Sequence, residues 1–153
     1  MASEYVFVDE WDVAAPAKAV YDVVVDARSY PEWWRPVYLS VEGERGANLH
    51  HFKGRLPYTL KMQAELVRED RPRQFEVRVD GDLRGKGIWT FTPRDGGTHV
   101  RWDWIVLADR PLLRYLTPVL KPLFRWNHNW VVARAREGLG PYVQSREARQ
   151  HDE

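Results

Sequence analysis

The sequence contains no cysteine, which excludes disulfide bonds, a thiolate nucleophile and any metal site built on sulfur. It also lacks an excess of charge, since 23 basic side chains stand against 22 acidic ones and the net charge is +1. That balance argues against nucleic acid or an anionic membrane as a partner. No apolar run approaches the roughly 20 residues that span a bilayer, and the start of the chain alternates like a strand instead of forming a signal peptide. We therefore expect a soluble, cytoplasmic protein.

Motifs for metals and nucleotides are equally scarce. His50 and His51 are adjacent, and adjacent side chains on a strand point to opposite faces, so one ion cannot readily bind both. Gly85 and Gly87 open a predicted strand, whereas a dinucleotide-binding loop opens a helix. The sequence also has no HExxH motif. We predict no metal site and no cofactor, and the sequence leaves open which of the two histidines faces inward.

Tryptophan is the residue in excess, with eight copies in the chain. A small core seldom needs so many large rings. Two interpretations fit this composition: a core rich in aromatic side chains, or the aromatic lining of a ligand cavity. Composition alone leaves both open.

Short segments predict the order of the elements. Residues 4–13 alternate between apolar and polar side chains and predict a strand. Pro16 suits the first turn of a helix that runs through about residue 26. Ser29 is predicted to cap a second short helix, because an acidic residue follows three positions later. Turn residues then separate six further segments, which predicts an antiparallel meander with strands at 37–42, 48–54, 59–68, 74–79, 84–92 and 98–107.

The predicted meander has one apolar face, because alternate positions are apolar while their neighbours are charged or polar. A sheet of this kind needs another element to cover its apolar face. The C-terminal segment is the only one large enough to do so. The apolar positions are Leu60, Met62, Ala64 and Leu66, then Phe75, Val77 and Val79, then Val100, Trp102, Trp104 and Val106.

The C-terminal segment has helical periodicity but is interrupted by prolines. Because Pro118 and Pro122 remove backbone donors, we predict a short helical piece near 112–117, then a break or kink, and a main helix over about 120–143 that is distorted near Pro122. Residues 144–153 are polar and charged and predict a frayed tail.

The predicted main helix carries an apolar stripe that contains one amide. At 100° per residue, Asn127 lies near the centre of the stripe and His128 at its edge. A buried amide without a partner costs roughly 1–3 kcal/mol, so Asn127 should be either a structural amide or an anchor for a ligand. The stripe consists of Leu116, Val119, Leu120, Leu123, Phe124, Trp130 and Val131.

Four short motifs, taken in order, are similar to those of a known family. They are VYDVVVD at 20–26, YPEWW at 30–34, GDLRGKGIW at 81–89 and NHNW at 127–130. With the order of elements they resemble the helix-grip superfamily of START-related (SRPBCC) domains, in its polyketide cyclase/dehydrase-like branch. The resemblance implies one α+β domain over 1–153, with its core in about 4–143. In that fold a curved antiparallel sheet of about seven strands wraps around a long C-terminal helix, and two short helices follow the first strand.

The resemblance also implies a deep cavity between the sheet and the long helix. Near its mouth we expect Trp33 and Trp34, with one packed inward and the other more exposed. Asn127 is the sharpest candidate for ligand contact. The other candidates are Trp130, Phe124, Trp104, Trp102, Trp89, Phe91, Phe75, Met62 and Trp33.

Three hypotheses for the function remain. The first is binding of a hydrophobic small molecule, namely a lipid, a sterol or an aromatic polyketide-like compound. The second is a polyketide cyclase or dehydratase, for which the catalytic candidates are Asn127, His128, Tyr58 and an inward-facing histidine of the pair 50–51. The third is a protein-interaction module with a filled cavity. The small set of acid–base groups favours binding, and the sequence leaves the oligomeric state open.

The size of such a cavity has an energetic consequence. A small-molecule site of roughly 300 Å³ is at the low end of the usual range. Left empty, it would cost about 7 kcal/mol relative to a packed core. We therefore expect the cavity to be occupied.

Overall fold

Seven strands and three α-helices form the part of the chain that the structure, a computed structural model, describes. That part comprises residues 3–55, 59–108 and 111–151, with side chains at 4–55, 59–107 and 121–149. The strands are β1 Ser3–Val13, β2 Tyr38–Glu44, β3 Ala47–Phe52, β4 Leu60–Asp70, β5 Gln74–Gly81, β6 Leu83–Arg94 and β7 Gly97–Ala108. The helices are α1 Ala17–Val25, α2 Tyr30–Trp33 and α3 Pro111–His151, and a 3-10 turn covers Ala27–Ser29.

The strands form one curved antiparallel sheet in the order β1-β7-β6-β5-β4-β3-β2, with α3 on its concave side. The predicted helix-grip α+β fold is therefore confirmed. The predicted faces of the strands are also correct. On β7, for example, Trp102 and Trp104 are buried, whereas Arg101, the neighbour of Trp102, is exposed.

Helix α3 is one helix from Pro111 to His151, so the first of the two alternatives, a break at Pro118 and Pro122, is wrong, and the kink stays a prediction. Pro122 lies on the exposed side of the helix. Each of the two prolines removes one backbone hydrogen bond, and the many other bonds of this long helix hold it together on both sides.

The predicted fraying of residues 144–153 is wrong over 144–151, because α3 continues to His151, whereas residues 152–153 lie outside the described residues. Val143 is still buried, and the Nε2 group of Gln144 donates to the carbonyl oxygen of Ala14 at 3.0 Å. These contacts hold α3 against the loop after β1 at residues 143 and 144, and the helix continues beyond them.

The buried stripe of α3 is rotated from the predicted one. Asn127, predicted at its centre, is only half-buried, and Leu123 is 41% exposed. The prediction relied on the apolar residues before residue 132, but Leu123 and Trp126 in that part face the solvent. The stripe that faces the sheet and the short helices consists of His128, Val132, Ala135, Leu139 and Val143.

The segment between α1 and β2 packs against α3, and both of its tryptophans are buried. Trp34 donates from Nε1 to the carbonyl oxygen of Val131 at 2.9 Å. The carbonyl oxygen of Trp33 lies so close to Gly138 that a β-carbon there would be 1.7 Å away. The exposed fractions of Trp33 and Trp34 are 4% and 2%. The expectation that one of them is exposed is wrong, because their stacked rings are both covered by neighbouring elements.

Ser29 does not cap α2 through its side chain, contrary to the prediction. Its hydroxyl donates to the carbonyl oxygen of Asp26 at 3.0 Å and accepts from Nε1 of Trp33 at 3.0 Å. The hydroxyl is thus engaged in holding Trp33 in place. The side-chain cap in this segment comes from Asp26, which accepts from the backbone N–H of Arg28 at 3.2 Å.

Candidate functional site

A cavity of about 150 Å³, partly open to solvent, lies between the concave face of the sheet and α3. Its walls are mainly aromatic and aliphatic, with polar groups from β2, β3 and α3. The volume is about half of the roughly 300 Å³ at the low end of small-molecule sites, because large rings such as Trp34, Trp89 and Trp104 fill much of the space. Residues on the wall include Tyr5, Phe7, Tyr30, Trp34, Tyr38, Asn48, His50, Phe52, Met62, Ala64, Phe75, Trp89, Trp102, Trp104, Phe124, Asn127 and His128.

Most of the predicted contact residues border this cavity. The seven that do so are Asn127, Phe124, Trp104, Trp102, Trp89, Phe75 and Met62. His128 borders it too, whereas Tyr58 lies outside the described residues. That any of these residues contacts a ligand stays a prediction.

Three predicted contact residues do not border the cavity. Trp130 lies between two guanidinium groups, those of Arg55 and Arg134, at 5.7 and 5.3 Å from its ring centroid. Phe91 lies behind the wall, in contact with Phe75. Trp33 stacks on Trp34 at 5.2 Å, on the side away from the cavity.

Asn127 bonds to the backbone of the loop after β3. Its Oδ1 accepts from the N–H of Arg55 at 2.6 Å. Gly54 allows this approach, since a β-carbon there would be 2.2 Å from the same oxygen. The amide therefore ties that loop to α3 at the cavity edge. This bond matches the structural alternative for Asn127, and its role as a ligand anchor stays a prediction.

His128 on α3 and Asp9 on β1 form a hydrogen-bonded pair between the helix and the first strand. The Nε2–H of His128 donates to Oδ2 of Asp9 at 2.6 Å, and the two side chains are only 9% and 13% exposed. The imidazole stacks on Phe7, with 3.8 Å between ring centroids, and lies 5.5 Å from Trp102. The pair thus holds the imidazole in one orientation between aromatic rings.

A second polar group, Tyr38, His50 and Asn48, lies on the wall formed by β2 and β3. Asn48 donates from Nδ2 to the carbonyl oxygen of Glu44 at 2.9 Å, so its Oδ1 faces His50 and accepts from Nε2–H at 2.6 Å. Burial lowers the pKa of His50 to about 4, so the imidazole is neutral at pH 7 and Nδ1 carries a lone pair. The Tyr38 hydroxyl, 3.0 Å from Nδ1, therefore donates to it.

This burial predicts a pH dependence of stability. The unfolded chain protonates His50 near its ordinary pKa of about 6.5, whereas the folded site does so only near 4. The stability contributed by neutral His50 is complete above about pH 6.5 and is lost as the pH falls, by about 2 kcal/mol between pH 7 and 5. In urea unfolding measured against pH, His50→Gln should remove this part of the slope. An identical slope in the wild type and the variant would exclude His50 as its source.

His50 and His51 face opposite sides of the sheet, as strand geometry predicts. His50 is 4% exposed and borders the cavity, while His51 is half-buried. Among the described residues, no group of three or more His, Asp or Glu side chains is arranged to hold a metal ion. Within the same residues, no helix is both long and apolar enough to cross a bilayer.

A seven-stranded sheet that grips a long helix defines a domain of the helix-grip (SRPBCC) class. Within that class, the chain belongs to the family described as polyketide cyclase / dehydrase and lipid transport, whose model matches residues 6–140. Membership supports a role either in binding a hydrophobic ligand or in cyclisation. No curated protein matches the chain.

Solved structures share this fold at low sequence identity. TTHA0849 from Thermus thermophilus matches with a TM-score of 0.75 and 19% identity, over 92% of this chain and 98% of that one. The di-domain ARO/CYC BexL from the BE-7585A biosynthetic pathway matches with a TM-score of 0.64 and 17% identity, over 89% of this chain and 50% of that one. A point mutant of Thalictrum flavum norcoclaurine synthase, in complex with a transition state analogue, matches with a TM-score of 0.62 and 15% identity, over 96% of this chain and 98% of that one. At these identities the likeness shows the fold alone.

Proposed function

We propose that the chain binds a hydrophobic small molecule that carries an aromatic ring, in the cavity between the sheet and α3. The observation that carries this proposal is the cavity itself, about 150 Å³ of space with mainly apolar walls and a few polar groups. A cavity of about 150 Å³ is large enough for a benzene ring, and because this one is partly open to solvent, a second fused ring can extend towards its mouth. A sterol with four fused rings would require the cavity to widen. An aromatic compound therefore fits better than a sterol or a long-chain lipid.

The cost of the empty space also supports a ligand. At about 24 cal/mol per Å³ for an enclosed, dry cavity, a cavity of about 150 Å³ costs at most about 3.6 kcal/mol, because water can enter this one from its open side. A typical domain is stable by only about 5–15 kcal/mol. A ligand at 100 times its dissociation constant returns about 2.7 kcal/mol. A protein-interaction module has no use for this space and would be more stable with side chains filling it.

Filling the cavity from its wall should prevent binding. Ala64 is buried on the concave face of β4 and borders the cavity. A phenylalanine at this position would occupy the space of the ligand ring. We expect Ala64→Phe to weaken the binding of an aromatic probe, 2-naphthol, by at least about tenfold in isothermal titration calorimetry.

The neighbouring residue provides a matched control. Gln63 on the same strand is exposed on the convex face, so Gln63→Phe adds the same ring outside the cavity and should bind 2-naphthol as the wild type does. Circular dichroism would verify that both variants are folded. Equal affinity of a folded Ala64→Phe variant and the wild type would place the binding site elsewhere.

One observation favours a second candidate function, the cyclisation or dehydration of a polyketide-like substrate. Asp9 holds the Nε2–H of His128, which leaves Nδ1 as the nitrogen that can take a proton. A histidine oriented by a carboxylate is a common arrangement for a general base. His128 borders the same cavity in which the aromatic ligand is proposed to bind.

This candidate function makes a kinetic prediction. With a poly-β-ketone substrate that the wild type converts, His128→Ala should lower turnover by at least about 100-fold, because a general acid–base group is lost. Asn129→Ala, at the next and exposed position of α3, is the control. Chromatography of the cyclised product measures both. Turnover that survives His128→Ala would remove His128 from the catalytic candidates.

A further inference from the structure

The hydrogen bonds on the wall formed by β2 and β3 all run in one direction. The carbonyl oxygen of Glu44 can only accept, which sets the orientation of Asn48, and Asn48 in turn sets which nitrogen of His50 carries the proton. The remaining nitrogen of His50 must accept, so the single proton of the Tyr38 hydroxyl points at it. The Tyr38 oxygen is left with lone pairs and no proton for any further partner.

The Tyr38 side chain borders the cavity and is held there by rings. Its own ring contacts those of Trp34 and Phe52, at 5.1 and 5.4 Å between centroids, and it is 9% exposed. Among the described residues, the bond to His50 is the only hydrogen bond of its hydroxyl. The oxygen is therefore an acceptor in apolar surroundings, where a donor is stabilised and another acceptor is not.

We infer that the cavity selects aromatic ligands that present a hydrogen-bond donor, such as a phenolic hydroxyl, to the oxygen of Tyr38. This inference rests on the proposed binding function and narrows its ligand class. A methyl ether or a ketone of the same ring system would bring its own acceptor oxygen against that of Tyr38. The cavity distinguishes a phenol from its methyl ether because the Tyr38 hydroxyl already donates its proton to His50. A tyrosine without that hydrogen bond could donate the proton to the ether oxygen instead.

Three probes on one ring system test the inference. Naphthalene has no polar group, 2-naphthol has a hydroxyl donor, and 2-methoxynaphthalene has an acceptor only. In isothermal titration calorimetry at pH 7, the wild type should bind 2-naphthol about tenfold more tightly than the methyl ether, the effect of about one buried hydrogen bond. Equal affinities for these two probes would overturn the inference.

Two variants separate hydrogen bonding from the larger size of the ether. Tyr38→Phe should reduce the tenfold preference to less than about threefold by weakening the binding of 2-naphthol, because the acceptor oxygen of Tyr38 is gone. Nδ1 of His50 cannot replace it, since it lies 3.0 Å beyond the position of that oxygen. His50→Leu should also reduce the preference, but by strengthening the ether, because the Tyr38 proton is then free to be donated. Size effects are common to all three proteins and cancel in these comparisons.

The outcomes distinguish this inference from the proposed function. Binding of naphthalene and of both derivatives with similar affinity would leave the cavity as a binding site and overturn the selection by Tyr38. A preference for 2-naphthol that persists in Tyr38→Phe would do the same. Failure of all three probes to bind the wild type would contradict the proposed function as well. Should His50→Leu fail to fold, as judged by circular dichroism, Tyr38→Phe alone decides the inference.

Discussion

Gly138→Ala should destabilise the protein by about 3 kcal/mol or more, beyond the usual range for an added methyl group in a packed site. A β-carbon at this position would lie 1.7 Å from the carbonyl oxygen of Trp33. That oxygen belongs to the backbone, so it cannot turn aside as a flexible side chain would. Relief requires α3 to move away from α2, which would also stretch the bond from Trp34 to the carbonyl oxygen of Val131.

Gly140→Ala is the matched control two residues along the same helix. The nearest atom to a β-carbon there is Cγ1 of Val13, at an ordinary 4.0 Å. Alanine should therefore stabilise the protein by up to about 1 kcal/mol through its higher helix propensity. Urea unfolding of both variants measures the difference. A Gly138→Ala variant as stable as the Gly140→Ala variant would mean that α3 does not pack against Trp33 in solution.

His128→Leu should destabilise the protein by about 3 kcal/mol, the upper end of the cost of leaving a buried acceptor without its hydrogen-bond donor, because the acceptor here is a carboxylate. The leucine would still pack against Phe7, but the carboxylate of Asp9 would lose the donor at 2.6 Å while it remained only 13% exposed. The larger part of the loss thus comes from the carboxylate that stays behind, and not from the missing ring.

A double variant tests this explanation. Asp9→Leu combined with His128→Leu removes both polar partners, so its stability should exceed that of His128→Leu alone. Urea unfolding of the two single variants and the double variant gives the coupling energy. Strictly additive losses would show that Asp9 and His128 do not interact.

The sheet could be predicted from the sequence because its signals are local. Turn residues separate the strands, and alternation assigns each side chain to a face, as on β7, where Trp102 and Trp104 are buried as expected. The same alternation predicts that the adjacent residues His50 and His51 lie on opposite faces. Which of them faces inward depends on the register of β3 against β4, where His50 lies opposite Met62.

The orientation of α3 is harder to predict than the faces of the strands, because the exposure of an apolar helical residue depends on which other elements pack against it. Leu123 and Trp126 are apolar but exposed, while His128 is polar and buried. One signal for this was present in β1. Asp9 occupies an inward position between apolar side chains, and a carboxylate there requires a partner from another element.

The hydrogen-bonded group of Asn48, His50 and Tyr38 cannot be predicted from sequence patterns. It requires β2 and β3 to pair so that the Tyr38 hydroxyl reaches His50, and a register shift between Tyr38 and Ser40 is part of that pairing. The direction of the chain then depends on the carbonyl group of Glu44, a backbone atom that every sequence contains. Spacing alone cannot predict such a network.

A crystal structure of the chain grown with 2-naphthol tests the central claim most directly. We expect the naphthalene ring in the cavity among Trp34, Trp104 and Phe124, with its hydroxyl within hydrogen-bond distance of the Tyr38 oxygen. A ligand bound only on the outer surface, or a space between the sheet and α3 that side chains have filled, would contradict the claim.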